Sequence, residues 1–120
     1  LSWELAHDAG AAGASVRFAL TITNVSGEAC LVDAGAATLV LSVVSGEDLI
    51  WSNAHCGSSD PVRLLLGPAD STTRTVTWPG TRSAPGCASV ESAVRPGTYQ
   101  VGLDYAAVEV PEAAAVFTLR

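Results

Sequence analysis

The sequence of 120 residues contains no lysine and no methionine, and only 15% of its residues are charged. Its six arginines are outnumbered by twelve acidic residues, which gives a formal net charge of −6 at pH 7. Nucleic acids and anionic lipid surfaces are bound by clustered positive charge, whereas these arginines are scattered singly along the chain. The composition therefore argues against nucleic acid as a partner and against docking on an anionic membrane surface.

Long hydrophobic runs are also missing. Hydrophobic residues make up 48% of the chain, yet no apolar stretch approaches the ~18 residues of a membrane-spanning helix. We therefore expect these residues not to be inserted in a membrane. The chain begins at Leu1 instead of methionine, which favours a processed or truncated fragment that has lost a signal peptide or anchor. Its length predicts a single domain over residues 1–120.

Side chains that carry out chemistry are few. The sequence has two histidines, and one of them, His55, directly precedes Cys56. A thiol–imidazole nucleophile needs a free thiolate, which a disulfide at Cys56 would remove. His55, Cys56, Asp60 and Cys87 lack a recognised zinc-ligand spacing, and no carboxylate pair is arranged as in a glycosidase. The sequence therefore predicts no enzyme, no metal site and no cofactor.

What the chain does contain is a side-chain period of two. Val16, Phe18, Leu20 and Ile22 alternate with polar or small residues, so four apolar side chains share one face of a strand. Further strands are predicted at Leu1–Leu5, Cys30–Val32, Thr38–Val44, Leu49–Trp51, Val62–Leu66, Ser71–Trp78, Tyr99–Tyr105 and Ala113–Leu119. Turn signals separate them every 8 to 12 residues or so. This pattern predicts an all-β, immunoglobulin-like antiparallel sandwich of about 7 to 9 strands.

Two segments permit more than one interpretation. Asn24-Val25-Ser26 spells a glycosylation sequon, but its Asn and Ser content, followed by Gly27, also indicates a simple turn, which we favour. Ala88–Val94 is the one stretch with plausible helix composition. It is short, and it lies in a long segment from Pro79 to Pro96 that contains three prolines. Loops of this length are usually functional or fixed by a crosslink.

The three cysteines allow three single pairings, and one thiol is always left over. Cys56 and Cys87 both lie in turn-rich segments, whereas Cys30 lies in a predicted strand between Ala29 and Leu31. We therefore expect one disulfide between Cys56 and Cys87. Cys30 is then predicted to be a free thiol that packs as a small, inert hydrophobic residue, with intermolecular pairing or redox chemistry as the alternatives. A disulfide of this kind persists only in an oxidising compartment.

The aromatic residues give the remaining candidates for function. Trp3, Trp51 and Trp78 each stand at a strand end, and a tryptophan in a sandwich is more often core than binding surface. Trp51 is therefore predicted to be structural, and Tyr99 is the candidate for a tyrosine corner that bonds back to the preceding connection. If one tryptophan is exposed, we expect it to be Trp78. The candidate partner-binding residues are Trp78, Arg82, Ser83 and His55, although Arg82 could equally pair with a neighbouring carboxylate.

These residues carry a resemblance. The arrangement Ile50-Trp51-Ser52, Cys56, Leu66-Gly67-Pro68, Trp78, Arg82-Ser83, Cys87 and Pro96–Val101 resembles an uncharacterised family of actinobacterial cell-envelope proteins with an immunoglobulin-like domain. The similarity runs from about Val16 onward. A more distant resemblance is to the bacillar intracellular proteinase inhibitor domain, although this chain reads Gly67-Pro68 where that family has proline then glycine. The first resemblance implies a fold and an envelope location and brings no known activity.

The sequence thus predicts a non-catalytic extracytoplasmic module, membrane-anchored or secreted. Such a module would contact a protein partner or space one domain from another. Low charge and a mean hydropathy of +0.34 also favour self-association through an edge strand. The alternative class is a proteinase inhibitor that presents either the segment from Pro79 to Pro96 or the one around Cys56 to a protease.

Overall fold

The computed structural model describes residues 1–120, which form ten strands, one α-helical turn and two short 3-10 turns. The strands are β1 (Ser2–His7), β2 (Val16–Thr23), β3 (Cys30–Asp33), β4 (Leu39–Ser45), β5 (Asp48–Ser52), β6 (Arg63–Leu66), β7 (Ser71–Trp78), β8 (Gly97–Tyr105), β9 (Val108–Glu109) and β10 (Ala115–Leu119). The helix α1 spans Asn53–Cys56, and the 3-10 turns span Pro85–Cys87 and Pro111–Ala113. No helix is both long enough and apolar enough to cross a membrane.

The strands build an immunoglobulin-like antiparallel sandwich, as predicted. One sheet has the order β1-β2-β7, and the other has the order β10-β8-β4-β5 with β9 paired on β8. β3 and β6 form a separate two-stranded sheet. All pairings are antiparallel. The strand number exceeds the predicted range because β9, which pairs over only two residues, counts as a tenth.

The core lies between the two large sheets and follows the period of two in the sequence. Four residues of β2 are 0% exposed: Val16, Phe18, Leu20 and Ile22. β4 adds Leu39, Leu41 and Val43, and β8 adds Tyr99, Val101 and Leu103. Because alternate residues of each strand face the same side, each strand contributes one apolar row to this core and one row to solvent or to the outer face.

Trp78 corrects one sequence-based prediction. Its side chain is 0% exposed, so it is part of the core and not of a contact surface. Its ring lies 6.3 Å from Trp51, Tyr99 and Phe117, centroid to centroid, and its indole N–H donates to the Thr81 carbonyl at 2.9 Å. Position 78 belongs to the inward-facing row of β7, so the sandwich closes over it. Burial of the whole ring, with its N–H satisfied, favours the core position strongly.

Trp51 and Tyr99 have the structural positions that the sequence predicts. Each is 7% exposed and belongs to the aromatic part of the core. The Tyr99 hydroxyl donates to the Arg95 carbonyl at 2.5 Å, four residues upstream. This is the bond of a tyrosine corner. It fixes the end of the segment that enters β8.

Two local predictions have different outcomes at turns. Asn24 is 0% exposed, and its amide donates to the carbonyls of Glu28 (2.7 Å), Leu66 (3.0 Å) and Gly67 (3.1 Å). The buried amide thus holds a turn, as we favoured over glycosylation.

Residues 88–94 form no helix, contrary to their composition, whereas Asn53–Cys56, in the turn-rich segment around Cys56, forms α1. Isolated short helical segments are unstable without packing or caps, and the Ser52 hydroxyl caps α1 by accepting from Ala54 N–H at 3.2 Å.

Asp33 joins two connections at the end of β3. Its carboxylate accepts from Gly35 N–H, Val62 N–H and the Thr38 hydroxyl, each at 2.9 Å. These bonds, the one from Gly35 first, hold the pKa of Asp33 below its ordinary value of 3.8. The charged carboxylate is therefore favoured by the folded state more than by the unfolded chain.

The lowered pKa of Asp33 predicts a loss of stability in acid. A carboxyl whose folded pKa is depressed contributes stability that is present above the unfolded pKa, about 4, and is lost as pH falls through the lower folded pKa. We expect Asp33→Asn to unfold more easily than wild type at neutral pH, and the difference to shrink as pH falls below about 4. Urea unfolding across a pH series measures it. Asp60→Asn, at an exposed carboxylate, is the control, and a constant difference at all pH values would contradict the role of Asp33.

Candidate functional site

A disulfide joins α1 to the first 3-10 turn. The sulfurs of Cys56 and Cys87 are 2.07 Å apart, their Cα atoms are 4.6 Å apart, and both residues are exposed. The predicted pairing is therefore confirmed. Cys30 is the free cysteine, but it is only half-buried, and its sulfur lies 3.4 Å from the Asn24 Oδ1 oxygen. It is therefore a less buried thiol than the sequence suggests.

The segment that leads to Cys87 lies along the edge of β5. Ser83 N–H donates to the Ile50 carbonyl at 3.0 Å, and Ser52 N–H donates to the Ser83 hydroxyl at 3.2 Å. The Ser83 backbone and side chain together thus occupy the hydrogen-bonding positions of one residue in a neighbouring strand. Because an edge strand exposes unpaired backbone groups, this contact covers part of the open edge of the β10-β8-β4-β5 sheet.

His55 is brought to the same place from α1. Its Nδ1 atom is 2.6 Å from the Ser83 hydroxyl oxygen. Which of the two atoms donates depends on the imidazole tautomer, because the Ser83 hydroxyl can donate to Nδ1 or accept from it while it also accepts from Ser52 N–H. His55, Ser83 and the disulfide therefore form one connected cluster, which we call the edge clasp (His55, Cys56, Ser83 and Cys87).

Arg82 lies beside the edge clasp and contacts the β4–β5 hairpin. Its Nη2 nitrogen is 2.9 Å from both carboxylate oxygens of Asp48. The side chain of Arg82 is 23% exposed and that of Asp48 is 58% exposed. The alternative in which Arg82 pairs with a neighbouring carboxylate is thus confirmed. An ion pair this exposed contributes about 0–1 kcal/mol to the stability of the fold, so its main effect is to position the Arg82 side chain.

A groove of about 580 Å³ opens next to this ion pair. It runs between the β4–β5 hairpin and the segment that precedes β8. Its lining residues are Ser45, Asp48, Ile50, Arg82, residues 92–97 and Tyr99. Residues 88–96 make no backbone hydrogen bond in a helix or strand and are held at one end by Cys87 and at the other by Tyr99. The groove therefore has one wall built on a sheet and one built on an anchored loop.

The structure brings together three of the four candidate partner-binding residues. Arg82, Ser83 and His55 lie side by side at the β5 edge, whereas Trp78 is in the core. Sequence reasoning missed Asp48 as the partner of Arg82, and it missed Asn53, whose amide bonds Leu41 N–H at 2.9 Å and the Leu39 carbonyl at 3.0 Å. Asp48 and Arg82 are far apart in sequence, and Asp48 lies outside the loop that the Cys56–Cys87 disulfide closes, so no local signal pairs them.

The side chains here set limits on chemistry. The sulfurs of Cys56 and Cys87 are bonded to each other and so are not thiolate ligands or nucleophiles. No group of three or more His, Cys, Asp or Glu side chains is placed to hold a metal ion. What the arrangement offers is a polar groove with a partly exposed arginine that is paired with Asp48.

Comparison with known proteins relates the fold to parts of larger chains. The structure is similar to a β-glucosidase involved in saponin metabolism from intestinal bacteria, with a TM-score of 0.58, 15% identity, and coverage of 99% of this chain and 16% of that one. For a β-glucosidase from Listeria innocua in complex with isofagomine the TM-score is 0.54 and the identity 15%, and the match covers 99% of this chain and 16% of that one. A third similar structure is the alkylpurine DNA glycosylase AlkC of Pseudomonas fluorescens, bound to DNA containing an abasic site analogue. Its TM-score is 0.52 and its identity 13%, and the match covers 92% of this chain and 26% of that one.

The chain thus spans about a sixth of the β-glucosidase chains and about a quarter of the glycosylase chain. Identities this low show a shared fold alone. No protein-family profile and no curated protein matches the sequence. The β-sandwich is therefore the common feature, and the similarity assigns no activity.

Removing the disulfide is expected to destabilise the fold. The bond closes a loop with a sequence separation of 31, which corresponds to about 3 to 4 kcal/mol on the chain-entropy account. Cys56→Ser with Cys87→Ser should lower the free energy of unfolding by about that amount in urea titration. Cys30→Ser is the control, with a change of less than about 1 kcal/mol expected. Equal stability of the double variant and wild type would mean that the disulfide adds nothing.

Proposed function

We propose that the chain is a non-catalytic extracytoplasmic module of a bacterial envelope protein that contacts a protein partner or spaces neighbouring domains. The observation that carries the proposal is the groove beside the edge clasp. One wall belongs to the sheet, and the loop that forms the other wall is tied at one end by the disulfide and at the other by the Tyr99 hydroxyl bond, which limits the conformations that a partner would have to order. Pre-ordered surfaces bind with a smaller loss of conformational entropy.

The extracytoplasmic location is supported by the same disulfide. Both of its cysteines are exposed, so reductants of a cytosol would reach the bond. Exposed disulfides persist where the environment oxidises thiols, outside the cytoplasm. The resemblance to envelope proteins agrees with this location.

The composition of the groove favours a polar protein segment as its partner. Arg82 presents part of its guanidinium at one side, and Ser92 and Arg95 are exposed on the other wall. Ile50 and Tyr99 are buried residues that also line it. Arginine and tyrosine are enriched where proteins meet, because they combine apolar area with hydrogen-bonding groups.

One labelling experiment tests location and contact together. A cysteine placed in the groove, Ser92→Cys in a Cys30→Ser background, is reacted in intact producing cells with a membrane-impermeant, photoactivatable thiol reagent. We expect labelling before lysis and, after illumination, a crosslinked product of discrete mass. Glu112→Cys, at an exposed position on the Pro111–Ala113 turn, is the matched control and should be labelled without that product. Labelling only after lysis contradicts the location, and equal crosslinking at both positions contradicts the groove.

A proteinase inhibitor is the second candidate function, and one observation favours it. Residues 88–96 are extended or irregular, mostly exposed, and anchored at both ends, which are properties of a loop that can enter a protease cleft. An inhibition screen of the purified protein against serine, cysteine and metalloproteases separates the two functions. Slowed cleavage of a peptide substrate, with the 88–96 segment left intact by mass spectrometry, would favour the inhibitor. Absence of inhibition across the classes would favour the contact module.

A further inference from the structure

β7 forms an open edge of the β1-β2-β7 sheet. It pairs with β2 in continuous register from Ser71 to Trp78 and has no other strand neighbour. Proteins commonly protect such an edge with proline, charged side chains, a bulge or a covering loop. β7 has one charged residue, the inward-facing Arg74, but it has no proline, lysine or bulge, and no loop residue makes a backbone hydrogen bond to it. The edge of β5, by contrast, is covered by Ser83.

The backbone groups that face this open edge can be assigned. Asn24 N–H donates to the Asp70 carbonyl at 2.8 Å, one step beyond the Thr23–Ser71 pair. In antiparallel geometry this makes Thr23–Ser71 a pair without mutual hydrogen bonds, and such pairs alternate with hydrogen-bonded ones. Even-numbered residues of β7 therefore bond β2. The N–H and C=O groups that point to the open edge belong to Ser71, Thr73, Thr75 and Thr77.

We propose that this edge pairs antiparallel with the same edge of a second copy of the chain, about a two-fold axis at Thr75. The two three-stranded sheets would then join into one continuous sheet. The inference rests on the proposed role in protein contact, to which it adds a second surface and the partner that this surface binds. A two-fold contact of one surface with itself is the commonest arrangement in homodimers.

The register follows from side-chain faces and from charge. Residues directly opposite each other must share a face, so the axis must pass through a residue of β7. An axis at Arg74 would place the two copies' Arg74 side chains, the only charges of β7, against each other. An axis at Thr73 pairs residues 71–75 only, whereas an axis at Thr75 pairs residues 72–78. Beyond that, Ser71 would meet Pro79, which has no N–H to donate.

The Thr75 register also matches the side chains on the outer face. Thr75 would lie opposite Thr75 of the second copy, and Thr73 opposite Thr77. Threonine pairs across strands are favourable, and this face already has one, because the Thr21 and Thr73 hydroxyls are 3.1 Å apart. The inward-facing Arg74 would meet Val76. Three hydrogen-bonded pairs of residues supply about six backbone hydrogen bonds.

A proline at the centre of the edge provides the first test. Thr75 N–H points to the open edge, so Thr75→Pro should keep the β2 pairing and block the second copy. Thr75→Val, which keeps the N–H, is the matched control. In sedimentation velocity over a broad concentration series we expect wild type and Thr75→Val to dimerise and Thr75→Pro to stay monomeric, all with the same circular dichroism spectrum.

A cysteine scan provides a second test that does not depend on the fold of the proline variant. In a Cys30→Ser background, Thr75→Cys should form an intermolecular disulfide under mild oxidation, since hydrogen-bonded residues across antiparallel strands have Cα atoms about 5.5 Å apart. Thr73→Cys is the control, because two copies of residue 73 would be about 13 Å apart along the strand.

Several results would overturn the inference. These are a wild-type protein that is monomeric at every concentration, a dimer that persists in a folded Thr75→Pro variant, or equal crosslinking at positions 73 and 75. None of them affects the groove contact, which is measured with a cysteine at position 92, in the loop that lines the groove and away from β7. Failure of the groove crosslink would likewise leave the dimer of β7 edges standing.

Discussion

The alternation of side chains along each strand is the constraint on which the rest of this structure depends. In β7 it sends Thr72, Arg74, Val76 and Trp78 toward the inside and Ser71, Thr73, Thr75 and Thr77 toward solvent. The inward row places Trp78 in contact with aromatic rings from three other strands. A shift of one residue would expose that indole and bury hydroxyls without partners. Core packing therefore also determines which side chains the edge of β7 offers to a neighbour.

Two of the edge strands, β5 and β7, have opposite chemical surroundings. Along β5, one serine supplies both a backbone donor to Ile50 and a side-chain acceptor for Ser52 N–H, and His55 and the disulfide hold that serine in place. Along β7, threonine hydroxyls flank backbone groups that make no hydrogen bond within the chain. Covering an edge removes a template for pairing, and leaving one open keeps it. The chain thus combines an edge that is closed by its own loop with one that is available to another molecule.

Sequence reasoning succeeded where local pattern and local geometry agree. The period of two located β2, β7 and β8, and turn composition around Cys56 and Cys87 led to the correct disulfide. Tyr99 was predictable because a tyrosine corner is a local bond. Trp78 was wrongly predicted to be a contact residue. It ends a strand next to a long loop, and the local sequence does not show whether such a residue is buried or exposed. The absence of a helix at 88–94 has the same origin, since composition alone cannot supply the packing that a short helix needs.

The candidate functional site is formed by contacts between residues that are distant in sequence. These contacts differ in how much they contribute to stability. The Arg82–Asp48 ion pair is exposed enough for water to weaken it to about 0–1 kcal/mol. The disulfide, at about 3 to 4 kcal/mol, and the buried Trp78 ring are larger contributions. The ion pair therefore adds little to the stability of the fold, although it determines where the Arg82 guanidinium lies beside the groove. A partner that took the place of Asp48 at Arg82 would therefore cost the fold little stability.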